Sequence, residues 1–88
     1  GKDFQEKLCH LMLKDRPFCD QITEVLNLEF LDYEHLRVFV DIMLKYRERY
    51  KIHPSYSIME TRIRCEVNNY SKALKEKLTV LLFKCTFA

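Results

Sequence analysis

The side chains of this chain that are best able to act as nucleophiles, general bases or metal ligands are its three histidines and four cysteines. They are His10, His35, His53, Cys9, Cys19, Cys65 and Cys85. No histidine stands beside a serine or cysteine in a recognised nucleophile motif. Cys9 and His10 are adjacent, but neighbours on a helix point about 100° apart. The sequence therefore predicts a domain that is not an enzyme and has no catalytic, cofactor-binding or metal-binding residues.

The cysteine spacing also argues against zinc, because structural zinc sites draw on closely spaced ligand pairs and the chain has no C-x-x-C motif. An even number of cysteines permits two disulfides, but each cysteine falls within a predicted helix. We expect free thiols, buried or half-exposed, in a reducing cytosol.

A stretch of alternating basic and aromatic residues is the one candidate for nucleic-acid contact. It contains Lys45, Tyr46, Arg47, Arg49, Tyr50 and Lys51. Basic side chains can bind phosphate, and aromatic rings can stack on bases. The formal net charge is only +2, however, and basic residues are also typical of a helix C-terminus. The pattern favours a helix end and leaves open a weak contact with DNA through the four basic residues.

The elements that would position these side chains are helices. The 88 residues are enough for one domain, 48% of them are hydrophobic, and the only glycine is Gly1. A chain without internal glycine makes few tight hairpins. We predict an all-α fold, a compact bundle of five to six short helices around one long central helix, and a single domain over residues 1–88.

Helical spacing of apolar residues recurs in five segments. They are expected near residues 4–14, 16–26, 33–51, 57–70 and 72–87. The predicted N-caps are Asp15, Asp32, Ser57 with Ser55 as a rival, and Ser71. The apolar stripes include Phe4, Leu8, Leu11 and Met12 in the first helix, Phe18, Ile22, Val25 and Leu26 in the second, and Met59, Ile63, Val67 and Tyr70 in the fourth. The connector between the second and third helices is expected to fill the core with Leu28 and Phe30.

The predicted core and the predicted contact surface follow from these stripes. The core would contain Leu8, Ile22, Leu36, Phe39, Met43, Ile63, Leu74 and Leu78. The apolar residues left over are predicted to bind a partner, and they are Val38, Ile42, Val80, Phe83 and Phe87. Of these, the last three lie opposite the main stripe of the fifth helix. Either this second face meets a partner, or the helix is sandwiched within its own bundle.

An ordered pattern runs from Phe4 to Arg64 and covers about two-thirds of the chain. An opening helix, FQEKLCHLMLKD, leads into RPFCDQITEVLNLEFLDYEHLRVFVDIMLKYRERYKIHPSYSIMETRI. Its markers are Asp15, Phe18, Ile22, Phe30, His35, Tyr46, Tyr50, Lys51 and Pro54. This order resembles the N-terminal domain of DnaB-like replicative helicases, especially those of bacteriophages. Tyr56 and Ser57 depart from the family, which more often has a threonine followed by apolar and acidic residues there.

The resemblance implies a non-catalytic interaction domain of a hexameric helicase in the cytoplasm of a bacterial host. Such domains support self-association into the ring and dock primase or the helicase loader. ATP and magnesium would be used only by a separate motor domain, which should follow Ala88 in a longer chain. The alternative is a helicase-binding domain of a primase or a loader-type adaptor protein. Neither interpretation involves a membrane.

Overall fold

The computed structural model describes residues 1–66 and 69–87, so the predictions for Val67, Asn68 and Ala88 lie outside the described residues. Within these two ranges the chain is helical and contains no strand, which confirms the predicted all-α character. The elements are α1 (Lys2–Lys14), α2 (Arg16–Ile22), a 3-10 helix (Leu28–Phe30), α3 (Glu34–Tyr50), α4 (Tyr56–Cys65) and α5 (Lys72–Cys85).

Three helices begin where a side chain satisfies the free backbone N–H groups of the first turn. Asp15, Ser55 and Ser71 each accept a hydrogen bond from the backbone N–H three residues on, at 3.0, 3.2 and 3.1 Å. Pro17 lies in the first turn of α2, where its missing N–H costs nothing. Ser55 rather than Ser57 is therefore the cap of α4.

Asp32 does not cap α3, and the prediction that it would is wrong. The N-cap of α3 is Tyr33, which makes no side-chain hydrogen bond there. Asp32 instead pairs with Gln5: the Gln5 amide donates to the carboxylate at 2.8 Å, and the Asp32 N–H donates to the Gln5 oxygen at 2.8 Å. This pair of hydrogen bonds joins α1 to the start of α3 across 27 positions of sequence. It is a tertiary contact, which local capping rules cannot anticipate.

The core lies where α3, 17 residues long, contacts α1, α4, α5 and the 3-10 helix. Six of the predicted core residues are buried, namely Leu36, Phe39, Met43, Ile63, Leu74 and Leu78, whereas Leu8 and Ile22 are half-buried against them. The connector contributes Leu31, which is buried, and Leu28, which packs against the core. Phe30 is exposed, so its predicted place in the core is wrong.

Two apolar stripes face differently from the prediction. α2 ends at Ile22, which leaves Val25 outside the helical phase and exposed. α1 buries the polar residues Gln5 and His10 along with Cys9, Met12 and Leu13, and this turns Phe4 and Leu11 toward solvent. Because the buried polar side chains have hydrogen-bond partners elsewhere in the fold, their polarity did not mark the exposed side of the helix.

Candidate protein-binding surface

α5 has two apolar faces. The inner face is buried and consists of Leu74, Leu78, Leu81, Leu82 and Cys85. The opposite side, which we call the outer face of α5, consists of Ala73, Glu76, Val80 and Phe83 in the helix and of Phe87 in the turn after it. Val80, Phe83 and Phe87 are 51%, 57% and 77% exposed.

The two phenylalanines of the outer face form one continuous apolar area. Their ring centroids are 5.3 Å apart in an edge-to-face arrangement, which is favourable for aromatic pairs. Phe87 lies two residues past the end of the helix, in a turn held by a hydrogen bond from its N–H to the Lys84 carbonyl at 3.0 Å. The described structure therefore leaves large side chains of α5 in solvent, although the sequence had also allowed a helix sandwiched within its own bundle.

Grooves border the outer face on both sides. One groove, of about 720 Å³, runs between α5, the start of α3 and the start of α1, and Val80 and Lys77 lie on its α5 wall. A second, of about 280 Å³, separates α5 from α4 and is lined in part by Tyr56 and Phe83. A side chain of a bound partner could enter either groove beside the exposed residues.

Val38 and Ile42 do not belong to this exposed surface. Ile42 is 6% exposed and part of the core, so its predicted place on a contact surface is corrected. Val38 is half-buried and packs against the same core. The reason is that α3 packs against several elements, so the arc it buries is wider than its main stripe and side chains beside that stripe are covered by the chain's own helices.

The buried side chain of His10 joins α1 to α5. The Nε2 atom of His10 lies 2.9 Å from the carbonyl oxygen of Leu81, and because a carbonyl only accepts, the imidazole donates. The thiol of Cys85 donates to the His10 carbonyl at 3.7 Å. Lys84 lies 3.7 Å from Glu6 at the edge of the same contact. These contacts hold the inner face of α5 in place and thereby set the direction of the outer face.

The four basic residues near the end of α3 do not form one surface. Residues two apart on a helix point about 200° apart, so Lys45 and Arg49 share one side of α3 and Arg47 lies on another. Lys51, the C-cap of α3, lines the same groove as Arg47. Lys45 pairs with Asp41 at 2.9 Å, and Arg49 lies over the ring of Tyr50. The structure does not bring the predicted nucleic-acid residues together into a single basic patch.

Arg47 belongs to a hydrogen-bonded chain that the sequence did not reveal. Its guanidinium bonds to the Asp20 carboxylate and lies 2.6 Å from Nδ1 of His53. Nε2 of His53 lies 2.8 Å from the carbonyl oxygen of Leu13. A guanidinium only donates and a carbonyl only accepts, so in this arrangement Nδ1 accepts and Nε2 donates. Arg47 is therefore turned inward and joins α2, α3 and α1.

The four cysteines are free thiols, and Cys9, Cys19 and Cys85 are buried, whereas Cys65 is exposed and not buried or half-exposed as predicted. Burial raises the pKa of the Cys9 thiol to about 12, and it also raises the pKa of Cys19 and of Cys85. In residues 1–66 and 69–87, no three side chains of the metal-binding types lie close enough together to hold an ion. The described structure therefore offers no reactive buried thiol and no assembled ligand cluster.

We expect the folded chain to lose stability in mild acid because of His35. Burial lowers its pKa from the ordinary value of 6.5, Lys2 and Lys77 lower it further, and Glu6 opposes them. The unfolded chain therefore binds the proton more readily, so we expect the free energy of unfolding to fall as the pH drops below about 6.5. Urea unfolding of the wild type and His35→Gln at pH 7.5 and 5.5 measures this.

His35→Gln serves as the control. The difference between the losses of stability of the two proteins removes the contribution of the other titrating groups. The wild type should lose more stability than His35→Gln between the two pH values. An equal loss in both proteins would contradict the assignment to His35.

None of the helices in the described parts of the chain is long and apolar enough to cross a membrane. Comparisons with protein-family models, with curated proteins and with solved structures find no match for this chain.

Proposed function

We propose that this chain is a protein-interaction domain that binds other proteins through the outer face of α5. The observation that carries the proposal is the exposure of Val80, Phe83 and Phe87 on the side of α5 opposite its buried residues. Contiguous apolar side chains with a polar rim are typical of protein-binding surfaces, and aromatic residues are enriched at the centre of such surfaces.

We further propose that the domain is the non-catalytic N-terminal domain of a DnaB-like hexameric replicative helicase, acting in the cytoplasm of a bacterial host. The order of motifs between Phe4 and Arg64 supports this, and the all-helical fold is the one that the resemblance implies. In that role the domain would support ring assembly and dock primase or the helicase loader, while ATP hydrolysis belongs to a separate motor domain. The alternative role is a helicase-binding domain of a primase or an adaptor, which would use the same face.

Self-association through the outer face is tested by replacing Phe83 with aspartate. A charge placed among the exposed aromatic residues would have to be buried without a partner in any interface there, which is costly. We expect the mass of the wild type, measured by sedimentation equilibrium, to rise with concentration and the mass of Phe83→Asp to remain that of a monomer.

The matched control is Val25→Asp, which introduces the same charge at an exposed apolar residue beyond the end of α2. This variant should associate like the wild type, and thermal melts should show that both variants remain folded. A wild type that stays monomeric at every concentration would contradict self-association and favour the adaptor role. Equal loss of association in both variants would place the interface elsewhere.

A further inference from the structure

The outer face of α5 has the spacing of a seam between two helices. Its residues, Ala73, Glu76, Val80, Phe83 and Phe87, follow one another at intervals of three, four, three and four. From Ala73 to Phe83 these intervals return the side chains to one line along α5, and Phe87 continues the line from the following turn through its ring contact with Phe83. The same alternation is found where two helices pack side by side. The shape that fits this line is therefore another helix, with side chains entering the grooves that border α5.

Lysines flank this line on both sides. α5 contains four lysines and one glutamate, a net charge of +3. At about 100° per residue, Lys72 lies on one flank of the line and Lys77 on the other. Both are exposed, and neither forms an ion pair with any carboxylate in the described parts of the chain. Glu76, on the line itself, is the one carboxylate of the outer face, so the two flanking lysines still leave this face with a net positive charge.

The positive charge of Lys72 and Lys77 favours one of two kinds of helix that could bind the outer face of α5. A second copy of α5 would place lysines against lysines, and like charges facing each other across an interface are unfavourable. A helix with acidic residues beside its apolar stripe would instead meet Lys72 and Lys77 with opposite charge. Any association between copies would be weakened by this repulsion and would strengthen when salt screens it.

We propose that the outer face of α5 binds an amphipathic helix of a partner protein whose apolar stripe is flanked by aspartate and glutamate. This inference rests on the proposed protein-binding role of that face and adds the chemistry of the partner. Phe83 and Phe87 supply the apolar contact, and Lys72 and Lys77 select the acidic flanks. The phenylalanines thus recognise the apolar stripe of the partner helix, and the lysines recognise its acidic flanks.

The test uses two synthetic peptides of equal length with leucine and phenylalanine at heptad spacing, one flanked by glutamates and the other by lysines. Fluorescence anisotropy of labelled peptide measures the Kd for the full chain. The acidic peptide should bind, with an affinity that falls as salt rises, and the lysine peptide should not. Phe83→Asp should raise the Kd of the acidic peptide about tenfold or more, as loss of a central aromatic contact does.

Charge selection is tested by the double variant Lys72→Glu/Lys77→Glu. The matched control, Arg49→Glu/Lys51→Glu, changes the net charge of the chain by the same amount at the end of α3. The first variant should raise the Kd of the acidic peptide about tenfold, and the second should leave it nearly unchanged. Circular dichroism shows whether each variant is folded, and Phe83→Asp provides an independent measurement should the lysine variant fail to fold.

The outcomes separate this inference from the proposed function. Equal binding of both peptides, or binding of neither while the chain still self-associates through Phe83, would overturn the acidic-helix proposal and leave the protein-binding role standing. Binding to phosphatidylserine vesicles with no binding of the acidic peptide would overturn it in favour of a membrane surface. Insensitivity of both peptide binding and self-association to Phe83→Asp would overturn both proposals.

Discussion

Replacing Phe39 with alanine should lower the free energy of unfolding by about 3–5 kcal/mol. Phe39 is fully buried on α3, the helix that contacts α1, α4 and α5. The substitution removes the transfer free energy of a large side chain and leaves a cavity that close-packed neighbours fill only in part. Domains of this size are stable by about 5–15 kcal/mol in total, so the variant should be largely unfolded at moderate urea concentrations.

The control for Phe39→Ala is Phe83→Ala, the same change at a residue that is mostly exposed. Exposed substitutions away from special features usually change stability by about 0.5 kcal/mol or less. Urea unfolding followed by circular dichroism compares the two variants. Equal losses of stability would mean that Phe83 is a structural residue, and they would undermine its role on the outer face of α5.

Replacing His53 with alanine is expected to lower the free energy of unfolding by about 1–3 kcal/mol, because it leaves partly buried polar groups with fewer hydrogen-bond partners. The Leu13 carbonyl cannot be satisfied within its own helix, since the donor four residues on would be Pro17, which has no N–H. His53 supplies that missing donor from the loop after α3, at 2.8 Å. Its second nitrogen accepts from Arg47, so the substitution breaks two contacts at once.

A double-mutant cycle with Arg47→Ala measures whether His53 and Arg47 act together. Residues that share one hydrogen-bonded chain show coupling energies of about 0.5–3 kcal/mol. The double variant should therefore be more stable than the sum of the two single losses predicts. Additive losses in urea unfolding would show that the imidazole and the guanidinium stabilise the fold independently, contrary to the geometry.

Local rules were enough to predict several elements of this fold. The caps Asp15 and Ser71 depend on a side chain and a backbone N–H three residues away, and both were predicted from the sequence. The two faces of α5 were also evident, because helical spacing alone separates Val80 and Phe83 from the buried stripe. Such contacts lie within one or two turns of a helix, where sequence distance and spatial distance agree.

Contacts between distant segments were not predictable in this way. Asp32 has the residue type and position of an N-cap, but it forms two hydrogen bonds with Gln5 of another helix instead. Ile42 lies outside the main stripe of α3, and only the arrangement of the neighbouring helices decides that it is covered. The division of the basic residues around Arg47, by contrast, could have been found from their spacing of two.

The burial of three cysteines has a practical consequence for measuring this molecule. Cys65 is the last residue of α4 and is exposed, whereas Cys9, Cys19 and Cys85 are covered and their thiols resist ionisation. Since the thiolate is the reactive form, a maleimide added to the folded chain will attach at Cys65 first. The chain thus already contains one preferred labelling site for a fluorophore or spin label, and no cysteine needs to be introduced.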